Sequence, residues 1–179
     1  MACLKFITAL RLYGRRKKTG KTFSNIEFLL FLFSGAVPVT IRPPHPQNLQ
    51  TTLPTVRMIV DVSKSVLVLS NANVIKLLRS KEASNVVDIK SWPITLDTDD
   101  MPKKKLPMLY RAPTAEMLAY LDFSVSTTGM LAGIKMSHAA VTSLCKSMKL
   151  ACELYPSRHI ALCLDPYCGL GFALWCLSR

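Results

Sequence analysis

From Val37 onward, short apolar runs rich in β-branched residues alternate with longer runs of helical periodicity, which restricts the chain to a small set of layered folds. Val37–Ile41 reads as a buried strand, and residues 65–69 as another. Between them, residues 42–48 hold three prolines and form a loop, and residues 53–62 read as a helix with Pro54 near its first turn. Residues 71–82 read as a second helix with Val74, Leu77 and Leu78 inward and Ile75 as a further candidate, 92–96 as a strand, and 97–107 as a charged, proline-containing hinge. An apolar strand at 117–123 follows. Further on, Ser137 caps a helix that places Val141, Leu144, Cys145, Met148, Ala151 and Cys152 on one face. Residues 160–164 read as a further buried strand and 168–177 as a turn into a helix. The expected fold is α/β and layered, a mainly parallel sheet flanked by helices.

At 179 residues the chain is one domain's worth and long enough to bury a core. Its apolar content of 50% and mean hydropathy of +0.26 exclude a disordered polar chain. The net charge of +12 would by itself point to nucleic acid or an anionic surface. However, 7 of the 23 Lys and Arg residues precede Glu27, and no acidic residue does. The remainder carries 16 basic against 11 acidic residues, so the excess belongs mainly to the N-terminal arm and nucleic acid is not the expected partner.

Within that arm, residues 14–22 (GRRKKTGKT) approach the phosphate-loop pattern GxxxxGK[ST] but place five residues, not four, between Gly14 and Gly20. No strand pattern leads into them, and a solvated basic segment is expected. The apolar run 28–33 (FLLFLF) is far below the roughly 18–20 residues of a membrane-spanning helix. Six cysteines form no CxxC pair, and three histidines add no zinc spacing. Reduced structural thiols are expected, with Cys145 and Cys152 facing the core and no metal site. The compartment that follows is cytoplasmic, with nuclear or mitochondrial as the alternative through the basic segment.

Residues 121–138 (LDFSVSTTGMLAGIKMSH) carry the clearest chemical signal. A strand runs into a loop of small hydroxyl residues and glycine, and a capped helix comes after it. Close approach to phosphate needs glycine in the backbone, and its oxygens need hydroxyls and amides. Ser124, Ser126, Thr127, Thr128 and Gly129 supply both. A lysine normally adds the neutralising charge at the far end of such a loop, but the position here is Ala132. Lys135 is the candidate to replace it, and whether it points into the loop depends on the strand step beyond Ile134. Asp122 faces either a site or a neighbouring strand. His138 reads as a helix-start or core histidine, with a catalytic base as the alternative.

This stretch resembles the phosphate-loop motif of the adenylate-forming enzymes, the acyl-CoA synthetases and fatty acyl-AMP ligases. Phe123, Ser124, Thr127, Thr128, Gly129, Gly133, Ile134, Ser137 and His138 fall on that motif, whereas Val125, Ser126, Leu131 and Ala132 depart from it. Residues 162–172 (LCLDPYCGLGF) resemble the next signature of the same superfamily through Tyr167, Gly169 and Leu170, without its His-Asp pair. Together with residues 37–48 and 152–177, these words resemble the disco-interacting protein 2 family. Its members carry an N-terminal interaction domain and two tandem adenylate-forming-like domains, and the segment is more similar to the second of the two.

The resemblance implies that residues 36–179 are part of an AMP-binding domain, the incomplete N-terminal subdomain of an acyl-CoA synthetase-like fold truncated at its C-terminus. Residues 1–35 stand apart as a basic and apolar segment. It also implies a phosphate site at Ser124, Ser126, Thr127, Thr128, Gly129 and Gly133, ATP or AMP with magnesium in the parent domain, and an acyl substrate or its adenylate. No catalytic residue is implied in this chain. The later motifs of such ligases cannot be placed here, so the chain is expected to lack activity of its own, while its parent activates or senses acyl chains in lipid metabolism. The alternative is a non-catalytic module that makes protein contacts through a sheet edge, or binds anionic lipid or nucleic acid through the basic arm.

Overall fold

The computed structural model describes residues 6–10, 32, 34–98, 100, 110, 112–125, 128–155, 157, 159, 161, 163–164 and 169–177, with the main chain alone at 6–10, 89, 175 and 176. The chain divides into two compact units, Met1–Arg111 and Ala112–Arg179.

The first unit is built on a parallel sheet. Strand β1 (Phe6–Leu10) lies between β2 (Val37–Ile41) and β3 (Leu67–Ser70), and β4 (Ile94–Asp97) pairs with the other side of β3. Thr8 stands opposite Val39 on one side and Val68 on the other, and Leu67 stands opposite Ile94. Sequence reasoning left Phe6–Leu10 unassigned because its partners are distant in the chain and basic residues follow it closely. The basic stretch 14–22 lies outside the described residues.

Helix α1 (Leu49–Val62) buries Leu49, Leu53, Val56, Ile59 and Val60, a single stripe at helical spacing. It starts four residues earlier than Pro54 suggested. The preceding turn organises its first residues: His45 Nδ1 accepts from the Gln47 amide (3.3 Å), and the His45 amide donates to Thr52 Oγ1 (3.1 Å). The Thr52 hydroxyl donates back to the Asn48 carbonyl at 2.7 Å. Pro54 sits inside the helix on its exposed side, near an exposed Gln50 whose carbonyl water can satisfy.

The run read as one helix over 71–82 is two. Asn71 Oδ1 caps α2 (Ala72–Leu78) by accepting from the Val74 amide at 2.9 Å. Ser80 then starts α3 (Lys81–Ser84) by accepting from the Ala83 amide at 3.2 Å. A serine that satisfies a free amide in this way opens a new helix more readily than it continues an old one. Strand β3 begins two residues later than expected, because Ser65 closes the turn after α1: its hydroxyl is 2.7 Å from that of Ser63. Val37, Val39, Val68, Val74 and Leu53 form the driest part of this unit's core.

The second unit opens with a hairpin. Strand β5 (Leu118–Val125) pairs antiparallel with β6 (Leu131–Ser137), and helix α4 (His138–Ala151) follows directly. A short helix α5 (Gly169–Phe172) continues as a π-helical stretch, Ala173–Leu177. Met148 of α4 packs on Ala173 and Leu174, with Leu144 and Leu154 at the margin. The Tyr120 ring meets Phe172 edge-on at 5.4 Å between centroids.

Two sequence expectations fail in this unit. Cys152 is exposed at the end of α4 and Cys145 only half-buried, because the buried stripe ends at Met148 and the chain turns away after Ala151. Residues 160–164 form no strand where they are described: Ala161, Cys163 and Leu164 are exposed, without a ladder to bury them. Ile160 and Leu162 lie outside the described residues. Among the described residues, no helix is long and apolar enough to cross a membrane.

Candidate functional site

The hydroxyl- and glycine-rich loop is the tip of the β5–β6 hairpin. Register runs without slip from Tyr120 opposite Met136 to Val125 opposite Leu131, with one irregularity between Leu118 and Tyr120. Directly opposed residues project from the same face. Asp122 with Ile134 and Ser124 with Ala132 therefore share one face, and Leu121 with Lys135, Phe123 with Gly133 and Val125 with Leu131 share the other. Thr128 and Gly129 form the turn, and both are exposed.

Gly129 adopts φ of 79°, and among the described residues nothing lies within 4 Å of where a Cβ would stand. A left-handed residue of this kind reverses the chain at little steric cost only when it is glycine. The space above the turn is open, which suits a ligand held by the loop. Gly133 answers a different need. Its backbone is not left-handed, and a Cβ there would come within 2.8 Å of Phe123 Cε1. It is a glycine because the Phe123 ring lies across the hairpin.

The structure therefore collects Ser124, Thr128 and Gly129 at the hairpin's distal end and sets Gly133 one pair inward, beneath the aromatic ring. Ser126 and Thr127 lie outside the described residues.

The capped helix does not join this cradle. Seven residues of β6, about 23 Å of extended chain, separate the turn from α4. The first amides of α4 are also committed elsewhere. His138 N donates to the Met117 carbonyl (3.0 Å), Ala139 N to the Ala115 carbonyl (3.0 Å) and Ala140 N to Ser137 Oγ (3.2 Å). Ser137 is the N-cap that the sequence indicates, but the helix end it caps is closed to an anion. His138 is a helix-start residue whose imidazole pKa burial lowers. Lys135 lies on the face opposite Ala132, so it does not stand in for the missing cation.

Asp122 resolves to a contact that local sequence could not show. A Cβ on Gly169 would collide with the Asp122 carboxylate, so the strand feeding the loop and the second signature touch at this point. Burial raises the Asp122 pKa above its usual 3.8, partly offset by a hydrogen bond from the Phe123 amide. The neighbouring Tyr120 phenol is pushed up to about 12, first by burial and then by the charges of Asp122 and Cys145. The signal in the sequence is Gly169, a motif glycine whose acidic partner lies 47 positions earlier. Among the described residues no group of three or more His, Cys, Asp or Glu side chains can hold a metal ion.

The family described as AMP-binding enzyme matches residues 28–178. Human disco-interacting protein 2 homolog A is 70% identical over 146 residues, which cover 82% of this chain and 9% of that protein. Human homolog B is 68% identical over the same shares, and the Drosophila melanogaster disco-interacting protein 2 is 63% identical over 82% of this chain and 8% of its own. The chain thus spans about a tenth of the length of the curated relatives it matches.

Among solved structures, a fatty acid AMP ligase from Legionella pneumophila superposes with a TM-score of 0.73 at 18% identity, over 97% of this chain and 28% of that one. A fatty acyl-adenylate ligase from the same organism, in complex with acyl adenylate and pyrophosphate, gives 0.69 at 19% identity over 99% and 29%. At these identities the likeness concerns the fold: the chain has the α/β architecture of part of an adenylate-forming ligase.

Proposed function

Because the chain belongs to the AMP-binding enzyme family, we propose that the β5–β6 hairpin is its phosphate loop and holds the phosphate of an adenine nucleotide. Ser124, Ser126, Thr127 and Thr128 supply the hydroxyls of this reading, Gly129 the chain reversal, and Gly133 the room for Phe123. The observation that carries it is the exposed turn at Thr128 and Gly129, left-handed at Gly129, in a chain of this family. In this reading the start of α4 does not hold the phosphate, since its first amides are already bonded.

In this reading the parent protein carries the segment within a fatty acyl-AMP ligase-like domain, the second of two. The parent uses ATP to activate or sense an acyl chain in lipid metabolism in the cytoplasm. Ala132 removes a charge-assisted contact of about 1.5–3 kcal/mol, and Lys135 is turned away from it.

Amide hydrogen exchange with and without AMP or MgATP tests the reading. Added nucleotide is expected to slow exchange at 124–133 while leaving α4 unchanged, and Thr128→Val is expected to abolish the effect. Exchange at 124–133 that ignores both nucleotides refutes it.

A second reading, protein contact through a sheet edge, is favoured by β4. Among the described strands of the first unit β4 is an outermost one, and Ile94 and Leu96 on one of its faces are 71% and 41% exposed. Association of the purified chain that Ile94→Lys removes would support it; a monomer in both forms would count against it.

A further inference from the structure

Strand β4 has a cavity beside it as well as an outer edge. The cavity, about 210 Å³, is lined by Ile75, Leu78 and Arg79 from α2 and its C-terminal cap, and by Trp92, Pro93 and Thr95 from β4 and the residues leading into it. Ile75 and Leu78 are buried, and Trp92, Pro93 and Thr95 half-buried. This is below the roughly 300–1,000 Å³ of a pocket for a drug-sized ligand, and it suits one large apolar side chain. Arg57 of α1 lies over the Trp92 ring at 5.7 Å and is itself held by Asp61 at 2.8 Å, which fixes the indole wall.

The edge adds main-chain groups. The Thr98 amide turns inward to the Ser70 carbonyl at 2.8 Å. Main-chain groups alternate along a strand, so Ile94 and Leu96 also turn theirs toward β3, and Thr95 presents its amide and carbonyl outward. Side chains alternate too: Thr95 lines the cavity, while Ile94 and Leu96 stand exposed on the other face.

Charge narrows what such an edge can take. The Arg57 guanidinium is paired with Asp61, but among the described residues Arg79, exposed at the cavity, has no acidic partner. The stretch from Ala72 to Leu96 carries four basic and two acidic side chains, so its field favours an anionic partner.

We infer that β4 and its cavity take an extended segment of a partner protein in which an aspartate or glutamate lies beside a large apolar residue. The segment adds a strand to the edge, places its apolar side chain among Ile75, Leu78 and Trp92, and sets its carboxylate against Arg79. The inference rests on the reading of β4 as a contact edge and goes further by naming the chemistry of what it contacts.

Random peptides displayed on phage, selected on the purified 179-residue chain, are the probe. Selected peptides are then synthesised with a fluorescent label and titrated by anisotropy against the chain and its variants, with circular dichroism to establish folding. They are expected to share an apolar residue next to an acid. Arg79→Glu, at an exposed helix end, is expected to weaken binding about tenfold, and Arg79→Lys by less than about threefold. Thr95→Pro removes only an outward amide, which an edge strand tolerates, and is expected to weaken binding by about tenfold or more. Changing the peptide's acid to its amide is expected to abolish the effect of Arg79→Glu.

Peptides selected without an acid, or binding that Arg79→Glu leaves unchanged while Thr95→Pro abolishes it, would overturn the inference and leave the contact edge standing. Binding that survives Thr95→Pro would overturn it by placing the peptide elsewhere. If no peptide is selected but the chain associates with itself and Ile94→Lys removes that association, the edge stands, its occupant is a second copy and the inference falls. If no peptide is selected and the chain does not associate, the contact-edge reading falls and the inference with it.

Discussion

Replacing Gly133 by alanine separates two reasons for a glycine in this hairpin. On the motif alone, Gly133 is there so that phosphate can come near the backbone, and alanine would weaken nucleotide binding without touching stability. The structure gives another reason. The new methyl would lie 2.8 Å from Phe123 Cε1 and 3.3 Å from Cδ1 and Cζ. Ordinary carbon contacts are about 3.5–4.0 Å, so the ring must retreat by roughly 0.7–1.2 Å. Overpacking of that kind costs about 1–3 kcal/mol. Against it, alanine restricts the unfolded chain and returns about 0.4–1 kcal/mol, because the Gly133 backbone is not left-handed. The expected net effect is a loss of up to about 2.6 kcal/mol, a fall in Tm of up to about 10 °C for a chain of this size. In a Phe123→Leu background the ring is gone and the sign reverses: the same substitution is expected to stabilise by about 0.4–1 kcal/mol. Urea unfolding of the four chains of the cycle, followed by circular dichroism, reads the coupling directly. Equal effects of Gly133→Ala in both backgrounds would refute the packing argument, and a stabilising effect beside the intact ring would do so more sharply.

Three further outcomes follow from the same geometry. Gly169→Ala is expected to destabilise the chain, and Asp122→Ala is expected to relieve most of that loss by vacating the space the methyl needs; additive effects in thermal unfolding would show that the two residues do not meet. Ser137→Ala removes the cap of α4 and is expected to cost about 1 kcal/mol, with faster amide exchange at Ala140 first; an unchanged Tm and exchange pattern would contradict the 3.2 Å hydrogen bond. Asp122→Asn is expected to change how stability varies with pH. The folded-state pKa of Asp122 lies above its usual 3.8, so the folded chain binds the proton more tightly than the unfolded one. Stability from this group is complete below 3.8 and is lost as pH rises through the folded value. The Asn variant should therefore be more stable than the parent at neutral pH, with the difference shrinking as pH falls through the folded value toward 3.8; a difference independent of pH would remove Asp122 as its source.

Much of the first unit was legible because its elements announce themselves locally. Val37–Ile41 is a run of branched and apolar residues between glycine and proline signals, and it is a strand over those same residues. Asn71 and Ser137 cap helices because each can reach an amide three residues ahead. What was missed depends on partners far along the chain. Phe6–Leu10 has no distinguishing pattern of its own, and it becomes a strand through β2 and β3, some 30 and 60 residues away. Strand β6 contains Ala132 and Gly133, poor strand formers on propensity, and it exists because β5 supplies its ladder and Phe123 covers the glycine.

The sequence by itself determined the class of fold and the position of the hydroxyl-rich loop, since periodicity, caps and turn residues act over a few neighbours. It also determined that the loop lacks its cation, because Ala132 cannot become a lysine in any conformation. Only the tertiary structure decided where the surrounding charges go. A two-residue period puts Asp122 with Ser124 and Lys135 behind them, the length of β6 takes the helix end away from the turn, and the approach of Gly169 to β5 turns an ambiguous aspartate into a packed one. These are properties of pairing and contact between separated residues, and a local reading of the chain has no access to them.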